Sequence, residues 1–330
     1  MRLACYGLAL VATVGCAANS GGTNPEIDGG GSGDGGGGNF TTLISRSWSI
    51  NAGVFDLYEC TRIQVPRDMW ISGFRQIETT ATSSVATTAG THHQILTVSP
   101  SSASLGEYEC SAQTAGLETQ MLYAAGIGTN DAMMFPTGYA VHLKAGTYIN
   151  LDLHLFNAGD TTLSGTSGIQ VQELPAGSTP KEIDFLFAGS LNFTIPYTAA
   201  PTSSVFNVTG GCVVPADWEI FALWPHMHGL ADHQKVQVFH GNDTVNPDML
   251  LDTHYVFGDE AFYPKTYQMT GATDQLHVTC SYYNNQTTNP LGTAVSSGNS
   301  ALDEECISGF YKYPAGDPTG NGPYGCIGNQ

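Results

Sequence analysis

The chain is 330 residues long, carries a formal net charge of −19 with only ten Lys and Arg, and is 41% hydrophobic. Its length suggests roughly two domains, with enough apolar material for a sizeable core. So few cations argue against nucleic acid as a partner, which needs clustered Lys and Arg; the acidity bears on solubility more than on fold.

At the N-terminus, Arg2 precedes the short apolar run Leu8 to Val14. This is the form of an export leader, too short to be a stable bilayer anchor. Its end, Thr13-Val14-Gly15-Cys16, resembles a bacterial lipoprotein cleavage box with Cys16 as the lipidated residue. The expected leader is residues 1–16, and the expected location is the cell envelope, at the outer membrane or cell surface through a lipid anchor. Periplasmic release or ordinary secretion is the alternative. Residues 17–40 are Gly-rich, bury no core and read as a linker. The body keeps Cys60, Cys110, Cys212, Cys280, Cys306 and Cys326. An even number in an exported chain predicts three disulfides but leaves their connectivity open. The lack of a C-x-x-C pair argues against a thiolate zinc site.

From Thr41 onward, short β-rich runs alternate with Gly, Pro, Ser, Thr and Asn. Predicted strands are Val54–Val65, Trp70–Ile77, Gln94–Val98, Tyr139–Leu143 and Tyr148–Phe156. After the break Pro175-Ala176-Gly177-Ser178-Thr179-Pro180 come Ile183–Leu191, Ser204–Val208, Glu219–Trp224, Lys235–Phe239, Leu276–Tyr283 and Ile307–Tyr313. No long amphipathic helix pattern is present. The expectation is an all-β protein of two antiparallel β-sandwiches of jelly-roll type, residues 41–176 and 177–330.

Each half holds a histidine cluster. In Trp224-Pro225-His226-Met227-His228-Gly229-Leu230, the two histidines are spaced i, i+2 at the end of an apolar run. On a strand that spacing puts both imidazoles on one face, where they can share copper, zinc, iron or nickel. The first half offers His92-His93 and, later, His154. Adjacent strand residues face opposite ways, so His92 and His93 can share an ion only at a strand end, bulge or twist. His142, His233, His240, His254 and His277 read as surface or hydrogen-bonded structure, with His233 the nearest to a supporting role. No G-x-S-x-G elbow, P-loop or H-E-x-x-H motif occurs.

Taken in order, Tyr58-Glu59-Cys60, Thr91-His92-His93-Gln94-Ile95-Leu96, Leu122-Tyr123-Ala124, Leu151-Asp152-Leu153-His154, Pro225-His226-Met227-His228-Gly229-Leu230, Ala261-Phe262-Tyr263-Pro264 and Leu302-Asp303-Glu304-Glu305-Cys306 resemble the type II, ascorbate-dependent copper monooxygenases over roughly residues 50–326. That family includes the peptidylglycine-hydroxylating and dopamine-hydroxylating enzymes. The resemblance implies two β-sandwich domains whose two copper ions face an open, solvent-filled interdomain cleft. His92, His93 and His154 would hold the electron-delivering copper. His226 and His228 would hold the copper at which oxygen binds and a substrate C–H bond breaks. It further implies the disulfides Cys60–Cys110, Cys212–Cys326 and Cys280–Cys306.

Two departures stand out. Where the family places a methionine ligand at the second copper, this chain has Glu305. A carboxylate is a hard donor and a thioether a soft one, so Glu305 favours Cu(II) or another divalent ion. Met227 and Met269 are the thioethers that could substitute; alternation turns Met227 away from its flanking histidines. Where the peptide-hydroxylating branch has a carboxylate-gripping Arg, this chain has Trp224, and Ile307 and Gly309 replace that branch's Asn and Tyr. Without the guanidinium fork, the resemblance implies a substrate other than a C-terminal-glycine peptide, and a more apolar pocket around Trp224, Ile307 and Gly309. The functional expectation is a copper monooxygenase acting on a small-molecule C–H bond with O2 and an external reductant such as ascorbate, with His226, His228 and Glu305 at the reacting metal. The alternative is a copper-binding lipoprotein whose catalysis is altered by Glu305.

Overall fold

The computed structural model describes residues 39–328 except 55–56, 81–88, 100–103, 111–119, 127–131, 158, 201–204, 258–260, 299, 301 and 317–323. The leader, Cys16 and all but the last two residues of the linker lie outside the described residues.

The described residues form an all-β, sandwich-like arrangement of several sheets with no α-helix. Two sheets come from the first half of the chain, apart from the edge strand Lys181–Glu182 of one of them. One runs in the order Phe40–Ile50, Leu163–Glu173, Met69–Thr80, Tyr139–Leu143, Lys181–Glu182, and the other in the order Gly106–Glu109, Leu57–Gln64, Tyr148–Asn157, Ala89–Ser99, Met121–Gly126. The second half supplies Tyr263–Met269, Trp218–His226, Cys306–Tyr313, Asp184–Ser190, Cys326–Ile327 in one sheet and Phe206–Val213, Asp274–Tyr282, Ala231–His240, Asp248–His254 in another. Pairing between these strands is antiparallel except where Lys181–Glu182 meets Tyr139–Leu143 and where Asp184–Ser190 meets Cys326–Ile327.

Period-2 patterning explains the layers. Asp274–Tyr282 alternates strictly between buried and half-buried positions, as a strand with one face on the core must. Tyr148–Asn157 is different, being buried on both faces. Its Leu151, Leu153 and Leu155 enter the first hydrophobic core, while Asn150, Asp152 and His154 face the other way and are also buried. Truncating one of those leucines to alanine should cost about 2–5 kcal/mol. The opposite row is a buried polar face, so it must find partners. Asn150 accepts a hydrogen bond from the Tyr108 hydroxyl at 2.7 Å, and the neighbouring strand lays Tyr58 directly over His154.

The break at 175–180 is a turn; the second half has one core cluster of its own, but the other cluster is shared between the halves. The first core cluster joins Ile71, Phe74 and Leu153 to Phe185, Phe187, Phe221, Trp224 and Tyr311. Tyr311 donates to the Leu122 carbonyl at 2.7 Å, and Tyr139 donates to Glu219 at 2.7 Å. Residues 39–330 accordingly form one compact unit. Three disulfides, Cys60–Cys110, Cys212–Cys326 and Cys280–Cys306, close it; this is the pairing that the resemblance implies, and it points to an oxidising, exported environment. Among the described residues no helix is long and apolar enough to cross a membrane.

Candidate metal centre

The first cluster is made by a bulge. Strands Ala89–Ser99 and Tyr148–Asn157 pair with His93 opposite His154, and the register slips between Thr91 and His93. His92 is the extra residue, so two adjacent side chains are turned to one side, as a bulge allows. The three rings are 4.8–5.1 Å apart between centroids. His92 and His93 bring their Nδ1 atoms to 3.0 Å. Two imidazole lone pairs at that distance repel unless a proton or a cation lies between them. Burial, then the neighbouring His154, His92, His226 and His228, hold His93 well below the ordinary histidine range. It is therefore a neutral donor at pH 7, the state a metal requires. Tyr58 stacks on His154 at 4.3 Å with 6° between the planes. Burial pushes the Asp152 carboxyl up to about 8, so it adds no charge to this cluster near neutrality.

The second cluster is made at the end of a ladder. In the pairing of Trp218–His226 with Cys306–Tyr313, His226 lies opposite Ile307; continuing that register two residues brings His228 opposite Glu305. The rings of His226 and His228 are 5.2 Å apart, and Glu305 Oε2 lies 3.2 Å from His226 Nε2. His228 Nδ1 sits 3.0 Å from the Asp303 carbonyl. A carbonyl only accepts, so Nδ1 carries the proton and Nε2 the lone pair. The Glu304 carboxylate accepts the backbone N–H of His228 at 3.0 Å and of Leu230 at 2.6 Å, clamping the loop that presents His228. Burial nevertheless pushes Glu304 up to about 7 against the pull of those two N–H groups. The Tyr282 hydroxyl holds the Glu305 carbonyl at 2.7 Å, and Trp224 stacks on His226 at 4.8 Å.

The donors in each cluster, His92, His93 and His154 in one and His226, His228 and Glu305 in the other, lie within 4.8 Å of one another. Glu305 provides the test of fit. It is 1% exposed, its Oε1 accepts no hydrogen bond, and its Oε2 lies 3.2 Å from the His226 ring nitrogen. A buried carboxylate in that state is costly unless a cation neutralises it. A carboxylate oxygen with two imidazole nitrogens is a donor set that takes Cu(II), Zn(II) or Fe(II); three imidazoles suit copper or zinc. A third grouping, Cys60, Cys110 and Asp152, is closed to metal because its two sulfurs are bonded to each other.

The two clusters adjoin. His93 and His226 are 6.5 Å apart between ring centroids. The hollow they share has a free volume of about 10 Å³ and is lined by Tyr58, His92, His93, His154, His226, His228 and Phe257. In place of the open, solvent-filled cleft expected from the resemblance, four of the five histidines are buried and the space between them would hold about one water.

Other expected positions fall elsewhere. Trp224 and Ile307 belong to the first core cluster, and a Cβ on Gly309 would meet Phe185 at 2.1 Å. These three therefore lie in packed core behind His226, away from the hollow. Met227 and Met269 both lie in the second core cluster, as alternation implies for Met227. His233 bonds Asp252 on the neighbouring strand and supports neither cluster. His142 stacks on Trp70, His240 meets Asp274 and Asp248, His254 meets Asp232, and His277 packs on Phe239. Sequence reasoning missed the Glu304 clamp, although the Asp303-Glu304-Glu305 run offered a signal for it. It also missed Phe257, which packs 4.5 Å from His92 and 6.3 Å from His228 and had no signal at all.

Neither a protein-family profile nor a curated protein matches the chain. Among solved structures it is similar to PNGase F, a glycosylasparaginase from Flavobacterium meningosepticum, at 10% identity and TM-score 0.37, over 82% of this chain and 95% of that one. It is also similar to an archaeal virus protein of triple jelly roll fold, at 11% identity and TM-score 0.21, over 81% and 59%. A third likeness is to the VP2 subviral particle of infectious bursal disease virus, at 12% identity and TM-score 0.20, over 83% and 72%. Likenesses this distant carry no argument about function.

Proposed function

We propose that this protein is an exported copper-dependent monooxygenase that hydroxylates a small-molecule C–H bond with dioxygen and an external reductant such as ascorbate. The observation that carries the reading is convergence: five imidazoles from distant parts of the chain line one hollow, with a buried carboxylate against one of them. In this reading His92, His93 and His154 hold one copper, and His226, His228 and Glu305 hold the other. When bound, copper supplies one-electron transfer and oxygen activation. The chain's own contribution is to fix the donors. The bulge aims His92 and His93, the Asp303 carbonyl sets the His228 tautomer, Glu304 pins the His228 backbone, and the Tyr58 and Trp224 rings cover His154 and His226. With Trp224 in place of a carboxylate-gripping Arg, a C-terminal-glycine peptide is not the substrate of this reading. A lipid anchor at Cys16 is the proposed route to the envelope. The test is oxygen uptake by copper-loaded, ascorbate-reduced protein over a panel of small molecules. Substrate-dependent uptake with a hydroxylated product is expected; its absence, also in Glu305→Met, would count against the reading.

A second reading has its own support. A hollow of about 10 Å³ holds no organic substrate between the clusters, and Glu305 is a hard donor where the copper monooxygenases that the chain resembles have a soft methionine. These favour a copper-binding envelope protein without hydroxylase activity. It predicts tight copper binding with oxygen uptake that no substrate stimulates.

A further inference from the structure

We infer that the six donors form a single two-ion chamber, in which metal ions held by the two clusters interact directly, rather than two independent mononuclear sites. The inference rests on the copper reading above. Its basis is His93, whose ring is 4.8 Å from His154 in its own cluster and 6.5 Å from His226 in the other. That second spacing is little more than those within either cluster, 5.1 Å for His92 with His93 and 5.2 Å for His226 with His228. No wall of side chains separates the two sets, because both line the same hollow. Phe257, from the second half, packs on His92 of the first and on His228 of its own half, and so roofs both.

This proximity is built into the fold. The first core cluster runs through both halves. Lys181–Glu182, at the start of the second half, extends a sheet of the first. Tyr311 and Tyr139 hydrogen-bond across the seam. Moving the clusters apart would expose that shared aromatic core and break both hydrogen bonds. Charge sharpens the point: imidazoles bind metal as neutral donors, so the six donors bring at most the one negative charge of a carboxylate to two cations, and like charges in a hollow with room for about one water repel strongly. The chamber therefore takes two monovalent copper ions more readily than two divalent ones, and oxidation of one ion disfavours oxidation of the other.

The full-length protein is loaded anaerobically with Cu(I) to saturation, copper is counted, ferricyanide removes one electron from each ion, and the frozen sample is read by electron paramagnetic resonance. Two ions per chain with a broadened signal and a half-field transition are expected. The His226→Ala, His228→Ala double variant, checked for folding by circular dichroism, should lose about half of the copper and the half-field line, leaving the narrow signal of an isolated ion. Two ions per chain with sharp, additive, isolated signals would overturn the inference and leave the copper reading standing, as would saturation at one ion. No copper bound at all would overturn both. The wild-type spectrum decides between these outcomes even where the double variant does not fold.

Discussion

The two donor clusters are built by different means. His92, His93 and His154 sit in the middle of a sheet, where a register slip between two long, doubly buried strands sets their geometry. His226, His228 and Glu305 sit where a strand pair runs out, and hydrogen bonds to the Glu304 carboxylate and the Asp303 carbonyl, with one from the Tyr282 hydroxyl to the Glu305 carbonyl, do the aiming. The first cluster is all imidazole and carries no ionised partner near neutrality, since Asp152 is protonated below about 8. The second contains a buried carboxylate and rests on another. A ladder fixes geometry through many backbone bonds at once, whereas a clamp depends on single side chains. The second cluster should therefore be the more sensitive to one substitution in its surroundings, and the first to changes in its ligands.

The largest loss is expected at His93. His93→Ala removes a donor from the first cluster and the ring nearest the second; copper stoichiometry should fall by at least one ion per chain, read by metal analysis after dialysis. Next is Glu304→Ala, which leaves two buried N–H groups without an acceptor. It should cost about 3 kcal/mol in denaturant unfolding and weaken copper at the second cluster by about 10–100-fold, while the first keeps its affinity; competition with a chelator measures both. Glu305→Met exchanges a hard donor for a soft one. It should raise Cu(I) affinity at the second cluster roughly tenfold and lower its Cu(II) affinity, with no change at the first, as read by Cu(I) and Cu(II) competition titrations. The smallest effect is expected of Tyr58→Leu, which keeps apolar bulk but removes the stack on His154. About 1 kcal/mol of stability should be lost, with copper stoichiometry unchanged; a lost ion would show that the ring positions His154 rather than merely covering it.

Much of the fold was legible because buried strands carry their pattern openly. Tyr139–Leu143 forms as predicted, and Tyr148–Asn157 extends one residue beyond its predicted end. Phe40–Ile50 and Leu163–Glu173 were not legible. They pair with each other at the edge of their sheet, and the second is rich in Ser, Thr and Gly. Gly165 and Gly168 look like loop residues in sequence, yet a Cβ on Gly165 would lie 2.5 Å from Trp48 and one on Gly168 would lie 2.4 Å from the Ile44 carbonyl. Close packing of neighbours demands the glycines there, and nothing local reveals it. At the site, the condition that His92 and His93 need a bulge was readable from strand alternation, and the bulge is present. The approach of one cluster to the other was not, because that distance is set by Phe185, Phe221, Trp224 and Tyr311 filling the seam, a matter of volume in three dimensions rather than of spacing along the chain.

The short parallel contact of Lys181–Glu182 with Tyr139–Leu143 bears on how such a molecule can change over evolutionary time. A lobe whose first few residues complete its neighbour's sheet cannot be excised, duplicated or traded for another without unmaking both. Divergence would then run through surface positions rather than by shuffling modules, and the framework that gathers the two donor clusters would be inherited whole or not at all.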